Sequence, residues 1–379
     1  MDFKLTEAQN VLRGKLQSVL SGLPTSDLGD PVPALAAPVE GVVLKPTSAS
    51  GEMISFYLDL ALEQWSKPEM PGDDRLLNIV LACEEAGQLP LDRSIRSLML
   101  SAWISVRFNG AKLLTPLLDN LAVSFTGDDM QLAMRPTVKS DIGADKKWKI
   151  SGRLDLVEGV MHASHLLVDA KTGPRDHGLF LIDLKDDSLE KSSVQYIDQS
   201  RRAGAVIFNN TKAKRIGADF SGMLNDIVLL GRILTTSELL GAADALLSHT
   251  CDFVRKRRQF KQAIGNFQSV AHSCAEMFRD VELIRSLLYA AAAEHTGVGI
   301  PQAGAAAQSK ALAAELAGNV AEKGLHLFGA EGLRWHRGLH LLMRRVKALQ
   351  VLFGDQRTCE DVILASWDET NSPDLKGVV

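Results

Sequence analysis

Between Phe267 and Leu288, apolar side chains recur in steps of three and four: Phe267, Val270, Cys274, Met277, Val281, Ile284 and Leu288. That spacing puts them on one face of an α-helix. A seam this long and narrow packs helix against helix, in a bundle or between subunits. Core packing accounts for it without any ligand. A second apolar face lies upstream, made of Leu239, Leu240, Ala243, Leu246 and Leu247. The stretch 297–304 breaks the pattern, and helices are expected to resume near Ala305. The last third of the chain is therefore predicted to be a helical bundle.

The middle of the sequence cannot join that bundle, because its period drops to two. Trp148, Ile150, Leu154 and Leu156 alternate with Lys149, Ser151, Arg153 and Asp155, which is the pattern of a half-buried strand. Short apolar runs at 165–168, 179–182 and 205–208 are separated by turn segments such as 172–176. An antiparallel β-barrel or sandwich is predicted there. Earlier residues read as helical again. Thr6 is placed to cap a helix carrying Ala8, Val11, Leu12 and Leu16. A Pro-, Gly- and Ser-rich loop fills 24–50, and helical pattern returns over 54–62 and 76–86. The expectation is an α+β chain of three domains: helical over 1–112, β over 113–217 and a four-helix bundle over 218–379. A length of 379 residues suits two to three domains.

Composition removes several function classes. Apolar residues make up 46% and charged residues 23%, as in soluble globular proteins. No apolar run approaches the roughly eighteen residues of a membrane span. A net charge of −4 and a pI near 6.2 give no basic footprint for nucleic acid. Cys83, Cys251, Cys274 and Cys359 have neither CxxC nor metal-ligand spacing, so they are expected as reduced, mostly buried thiols. The opening MDFKLTEAQ lacks the basic and apolar regions of a signal peptide. A cytoplasmic protein is expected.

Few short motifs carry chemistry. His336 and His340 have the spacing of a zinc-binding helix, but the run is HRGLH, with Arg337 where a zinc protease has glutamate. A satisfied histidine or an ion pair is the better reading, and no metal site is expected. Arg255, Lys256, Arg257 and Arg258 form a compact basic cluster. It suits one pyrophosphate better than nucleic acid, although a solvated helix face would read the same way. Gly329, Ala330, Glu331 and Gly332 make a small-residue turn through which a backbone can approach a ligand. It lacks the strand–GxGxxG–helix setting of a dinucleotide fingerprint, and a turn between two helices would look alike.

Taken together, the segments resemble the acyl-CoA dehydrogenase family over most of the chain. MDFKLTEAQNVLR is similar to that family's first helix and LACEEAGQLPL to its "EE-x-G" helix. WKISGRLDLVEGVMHASHLLVDA and IDQSRRAGAVIF resemble its β-domain strands. FVRKRRQFKQAIGNFQSVAH resembles its R-x-QF segment, and HLFGAEGL its glycine turn. The resemblance implies a helical domain, a β-barrel and a four-helix domain. It also implies a flavin adenine dinucleotide (FAD) held between two subunits, with the R-x-QF helix and glycine turn of one subunit reaching the nucleotide of the other. The chemistry implied is removal of an α-proton from an acyl-CoA by a glutamate, with hydride passing to the flavin and electrons then to an electron-transfer flavoprotein.

Position by position, the likeness is uneven. Arg257, Phe260 and Gln268 match the residues that act on a partner's cofactor. His326, Gly329, Ala330 and Gly332 match the glycine turn. The family's Thr-Glu-Pro loop corresponds to 124–129, where little of it survives. The threonine beside the flavin ring corresponds to Glu158, whose charge is the wrong sign for a ring that becomes negative on reduction. The catalytic glutamate corresponds to Gly354. In members that carry it on the first helix of the last domain it corresponds to Gly231, so neither position holds a base. Trans-acting residues kept beside a lost site resemble the non-catalytic, β-type subunit of bacterial α2β2 steroid and bile-acid side-chain acyl-CoA dehydrogenases. RWHRGLHLLMRRVKALQVLFGD is similar to the C-terminal region of that branch. The implied partner is a glutamate-bearing subunit. The alternatives are an active homomeric enzyme using Asp355 as a displaced base, and a flavin-free scaffold on the same fold.

Overall fold

The architecture comes from a computed structural model. It describes residues 5–21, 23, 49, 51–66, 74–107, 114, 117, 121–124, 137–141, 147–173, 177–216, 221–294, 300–334 and 338–371. Most of the segment 24–50, the loop at 125–129, the turn at 174–176 and His336 with Arg337 lie outside the described residues.

Four helices come first: α1 (Glu7–Ser21), α2 (Gly51–Ser66), α3 (Arg75–Gly87) and α4 (Ile95–Arg107). Thr6 caps α1 as expected. Its Oγ1 accepts the Gln9 N–H at 3.3 Å, and Gln9 Oε1 accepts the Thr6 N–H at 2.8 Å, a reciprocal capping box. The two glutamates of α3 are buried and tie three helices together. Arg13 of α1 meets Glu84 at 2.9 Å, and the Tyr289 hydroxyl donates to Glu84 at 2.6 Å.

Seven strands follow: β1 (Leu121–Ser124), β2 (Thr137–Asp141), β3 (Lys147–Glu158), β4 (His165–Lys171), β5 (His177–Asp183), β6 (Leu189–Ser193) and β7 (Ala203–Ile216). The pairings run β4–β2–β3–β7–β5 and return to β4. Five strands thus close into a barrel, with β1 added beside β4 and β6 beside β7. Closure hides the strand edges, and Ile150, Leu154, Val168, Phe180, Val206 and Phe208 fill the interior. The alternation along β3 does not hold to its end. A bulge between Leu154 and Val157 turns Leu156 outward, 42% exposed, and buries Val157. An extra residue in one strand shifts every later side chain to the other face.

The last region holds α5 (Ser221–Lys256), a short hairpin of β8 (Arg258–Gln259) and β9 (Gln262–Ala263), α6 (Gln268–Ala293), α7 (Ala303–Phe328), α8 (Leu339–Leu349) and α9 (Gln356–Asn371). The long α5 is central. Its buried Thr235, Thr236, Ser237 and Thr250 each donate to the carbonyl four residues back, at 2.6 to 2.9 Å. This lets hydroxyls enter an apolar core at little cost. The α6 seam is buried from Met277 to Leu288 but only half-buried at Phe267, Val270 and Cys274. Helix α3 lies against α5 at backbone distance. A Cβ on Gly87 would stand 2.7 Å from the Glu238 carbonyl oxygen, and one on Gly241 would overlap that of Glu84. That contact explains the glycine of the EE-x-G pattern. No helix among the described residues is long and apolar enough to cross a membrane.

Candidate functional site

Where the barrel meets the two helical regions, six charged side chains form one network, five of them buried and Glu158 half-buried. Helix α4 supplies Arg96, the end of β3 Glu158, α5 Glu238 and α8 Arg345. The segment before β7 supplies Asp198 and Arg201. Arg96 donates to Glu158 at 2.8 Å and to Glu238 at 2.7 Å. Arg201 meets the other Glu238 oxygen at 3.2 Å. Arg345 meets Asp198 at 2.9 Å and donates to the Leu89 and Leu91 carbonyls at 2.6 Å. Burial works against ionised Glu238, but Arg96 and Arg201 outweigh it and hold its carboxyl below the usual range. Burial also opposes ionised Asp198, and Arg345 and Arg201 likewise hold it below the usual range. The Tyr196 phenol is pushed far up by burial and then by Glu158. It therefore stays neutral and donates to Glu158 at 3.1 Å.

A cleft of about 250 Å³ opens beside this network, lined by Arg96, Val123, Ser124, Glu158, Leu352 and Phe353 among others. Its walls are the segments expected to surround the flavin ring, and side chains of this protein project into them. The Arg96 guanidinium lies 5.9 Å from the centre of the Phe353 ring, within cation–π range. Phe353 adopts φ 58° and lays its ring on α5 at Gly231. A Cβ on Gly231 would stand 2.7 Å from Phe353 Cγ and closer still to Cδ1 and Cε1. Gly354 follows at φ 107°, a conformation suited to glycine. Lys310 donates to the Gly354 carbonyl at 3.1 Å and to that of Gln350 at 2.8 Å, and Arg232 donates to that of Phe353 at 3.1 Å. The two positions assigned to the family's base are therefore neighbours in space. One is covered by an aromatic ring, and the other is a glycine in a pinned turn.

Asp355 is not among the residues lining the cleft. It is the N-cap of α9. Its Oδ1 accepts the Thr358 N–H at 2.9 Å and the Thr358 hydroxyl at 2.7 Å. The backbone hydrogen bond, then the hydroxyl, hold its carboxyl below the usual range, which makes it a poorer proton acceptor.

The residues assigned to a partner's cofactor gather at one end of the bundle. Arg257 follows α5 and is fixed by its backbone, whose N–H donates to Phe253 at 2.8 Å and whose carbonyl accepts from Ile264 at 2.9 Å. Phe260 and Lys261 turn the β8–β9 hairpin with φ of 51° and 67°, a pairing that favours glycine or asparagine. The Phe260 ring is 84% exposed and meets only the edge of Phe267, at 6.1 Å. Gln268 opens α6 and is exposed. The Phe253 and Phe328 rings stack at 4.1 Å, joining the ends of α5 and α7. That stack brings exposed His326, Gly329 and Ala330 to the same end. Gly329 has φ 61° and ψ −142°, a region essentially limited to glycine.

The charged network was not anticipated from the sequence. A faint signal exists: Arg96 and Glu238 each interrupt an apolar helical run, where buried charges require partners. Arg96 and Glu238 lie 142 residues apart along the chain, so spacing does not reveal the pairing.

Residues 224–366 match the family model described as acyl-CoA dehydrogenase, C-terminal domain. The bovine mitochondrial short/branched chain specific acyl-CoA dehydrogenase is 27% identical over 238 residues, 58% of this chain and 53% of that protein. The chain spans about half the length of the relatives it matches. Among solved structures, the ChsE4–ChsE5 complex from Mycobacterium tuberculosis superposes with a TM-score of 0.76 at 20% identity. That match covers 98% of this chain and 100% of the other. The Tcur3481–Tcur3483 steroid ACAD superposes at 0.73 and 20%, covering 97% and 99%. These likenesses establish the fold. Residues 224–366 thus match the C-terminal domain of the acyl-CoA dehydrogenase family, and the full-length superpositions give the whole chain that fold.

Proposed function

We propose that this chain is the subunit without a base in an α2β2, FAD-dependent acyl-CoA dehydrogenase of the cytoplasm. The reading rests above all on Gly231 and Gly354, which we assign to the two positions where the family carries its glutamate; in support, Phe353 fills the space above the first. Loss of a positioned base costs about 10²–10⁴ in rate, and Asp355 is engaged as a helix cap. The chain's own ring cleft does not suit a flavin, because Arg96 and Phe353 project into it and Glu158 brings negative charge to its wall.

The opposite end of the bundle does suit a cofactor held by a neighbour. Arg257 offers a guanidinium fork, which pairs well with a pyrophosphate. Phe260, Gln268, His326, Gly329 and Ala330 supply an exposed ring, polar groups and a close backbone approach. FAD is typical of the family, and bound to the partner it supplies hydride acceptance. The partner's glutamate removes the α-proton, and this chain orients the nucleotide. The substrate we assign is a CoA thioester with a steroid or bile-acid side chain, with an electron-transfer flavoprotein as electron acceptor. Two of the superposed structures are named for two components each, and one of them is called a steroid ACAD.

The test is co-expression with a glutamate-bearing acyl-CoA dehydrogenase subunit, followed by a flavin count. One FAD for two chains, with turnover only when both subunits are present, is expected. A full complement of flavin on this chain purified alone would overturn the reading.

A further inference from the structure

A second cavity, of about 480 Å³, shares Ser97, Val123 and Glu158 with the ring cleft but extends away from Phe353, toward the start of α4 and the β3–β4 turn. Its volume lies within the range of small-molecule sites. Its inner wall is hydrocarbon, with Ile54, Leu98, Leu121 and Val123 from three elements. Its rim is cationic. Arg202 is exposed, and its Nη1 lies 2.9 Å from His162 Nε2. Burial, then Arg202 and Arg93, push the His162 imidazole below its usual range, so it stays neutral and accepts from the guanidinium. Arg202 has no carboxylate partner among the described residues, unlike Arg96 and Arg201. Deeper in the wall, buried Arg201 keeps Nη1 without a hydrogen-bond partner. Two carboxylates also line the cavity. Glu158 is engaged by Arg96, and Asp92 accepts the Ala49 N–H at 2.9 Å.

We propose that this cavity binds an apolar monocarboxylate, its carboxylate on Arg202 and its hydrocarbon body against Ile54, Leu98, Leu121 and Val123. The apolar wall excludes a ligand that is polar throughout, because burying unpaired polar groups is costly. The uncompensated guanidinium selects an anion over a neutral hydrocarbon. Asp92 and Glu158 offset two of the three guanidiniums on the wall, those of Arg93, Arg201 and Arg202, which favours an anion of one charge over a phosphate dianion. The cavity shares Val123 and Glu158 with the ring cleft, but Arg202 and the other residues named for the ligand are not among those assigned to a partner's cofactor.

The experiment is titration calorimetry on the full chain, with its partner bound if it purifies only so. The probes are decanoate below its micellar concentration, cholate, decanol and coenzyme A. Decanoate, cholate or both are expected to bind, and their order tells an open hydrocarbon chain from fused rings. Arg202→Ala should weaken acid binding about ten- to a hundredfold, as expected for a hydrogen bond to a charged group, and should leave decanol unchanged. Ala163→Trp, which fills the cavity without altering charge, should abolish binding of the acids while circular dichroism and the melting transition show an intact fold. Three results would each overturn the proposal: neither acid binds, Arg202→Ala binds the acids as tightly, or coenzyme A displaces them.

Discussion

The ring of Phe353 occupies the space that a side chain on Gly231 would enter. The two residues are 122 positions apart, and each belongs to a segment that the proposed reading assigns to the family's base. Their contact makes the loss of one position depend on the other. Gly231→Ala alone should destabilise the protein by about 1–3 kcal/mol through overpacking. In a Phe353→Ala background the same change should cost much less. A double-mutant cycle read by chemical denaturation measures this coupling. Additive effects would show that the contact is slack.

Glu158→Thr restores the residue expected beside a flavin ring. It should not restore a flavin, since Arg96 and Phe353 still project into the cleft. It should instead remove one of the two carboxylates on Arg96 and lower stability by about 1–3 kcal/mol. Visible absorbance and a denaturation curve on the purified variant check both outcomes. A gain of roughly one flavin per chain would make Glu158 alone the barrier.

The same network sets an acid limit. Asp198 and Glu238 titrate below their usual ranges in the folded chain. Their unfolded values are about 3.9 and 4.3. A depressed carboxyl contributes stability that is fully present above its unfolded value and is lost as pH falls through the folded one. The melting temperature should therefore be nearly level between about pH 5 and 7 and fall steeply below about 4. Asp198→Asn with Glu238→Gln should be less stable at neutral pH and should show a shallower acid limb. An unchanged acid limb would place the sensitivity elsewhere.

Asp355 caps α9, and its two substitutions separate that role from catalysis. Asp355→Asn keeps a good capping residue and removes the proton-accepting carboxylate, so turnover of the co-expressed complex should stay within a few-fold. Asp355→Ala should cost about 1 kcal/mol of stability. A hundredfold fall in turnover with Asn would identify a base.

In the complex, Arg257→Ala should weaken flavin binding about ten- to a hundredfold, as expected for loss of a charge-assisted hydrogen bond. Arg255 is the control, being exposed and paired only loosely with Asp252, at 3.6 Å. Arg255→Ala should leave affinity nearly unchanged. Equal effects would mean that a general basic field, not a specific contact, holds the nucleotide.

Helix and strand regions were legible because burial imposes period on sequence. The seam ending at Ile284 and Leu288, the α5 face around Leu239 and Leu246, and the alternation of Ile150 and Leu154 all face the core. The alternation misplaces Leu156, because a bulge changes register without changing composition. The half-buried start of the α6 seam, at Phe267 and Val270, follows the same helical period as its buried end, so pattern alone cannot tell the two apart. The charged network was invisible for another reason. Arg96, Glu158, Arg201, Glu238 and Arg345 come from five separate segments, and only the closed fold brings them within bonding distance.

The close passage of α3 over α5 has a consequence for how the polypeptide is made. Leu16, Tyr57, Ile79 and Met99 belong to one apolar cluster with Ile233, Leu240, Ile284 and Leu342. The barrel between them encloses a cluster of its own. During synthesis the interior of the barrel can close once β7 leaves the ribosome, while Leu167, Leu179, Leu181 and Ile216 on its other face still wait for the helical cluster. The first hundred residues pack on one another and also on α5 to α8, helices translated more than a hundred residues later. Contacts so distant in sequence form slowly and leave apolar surface open meanwhile. A chain that ends before α5 to α8 should therefore leave apolar surface of its first hundred residues uncovered and be prone to aggregate.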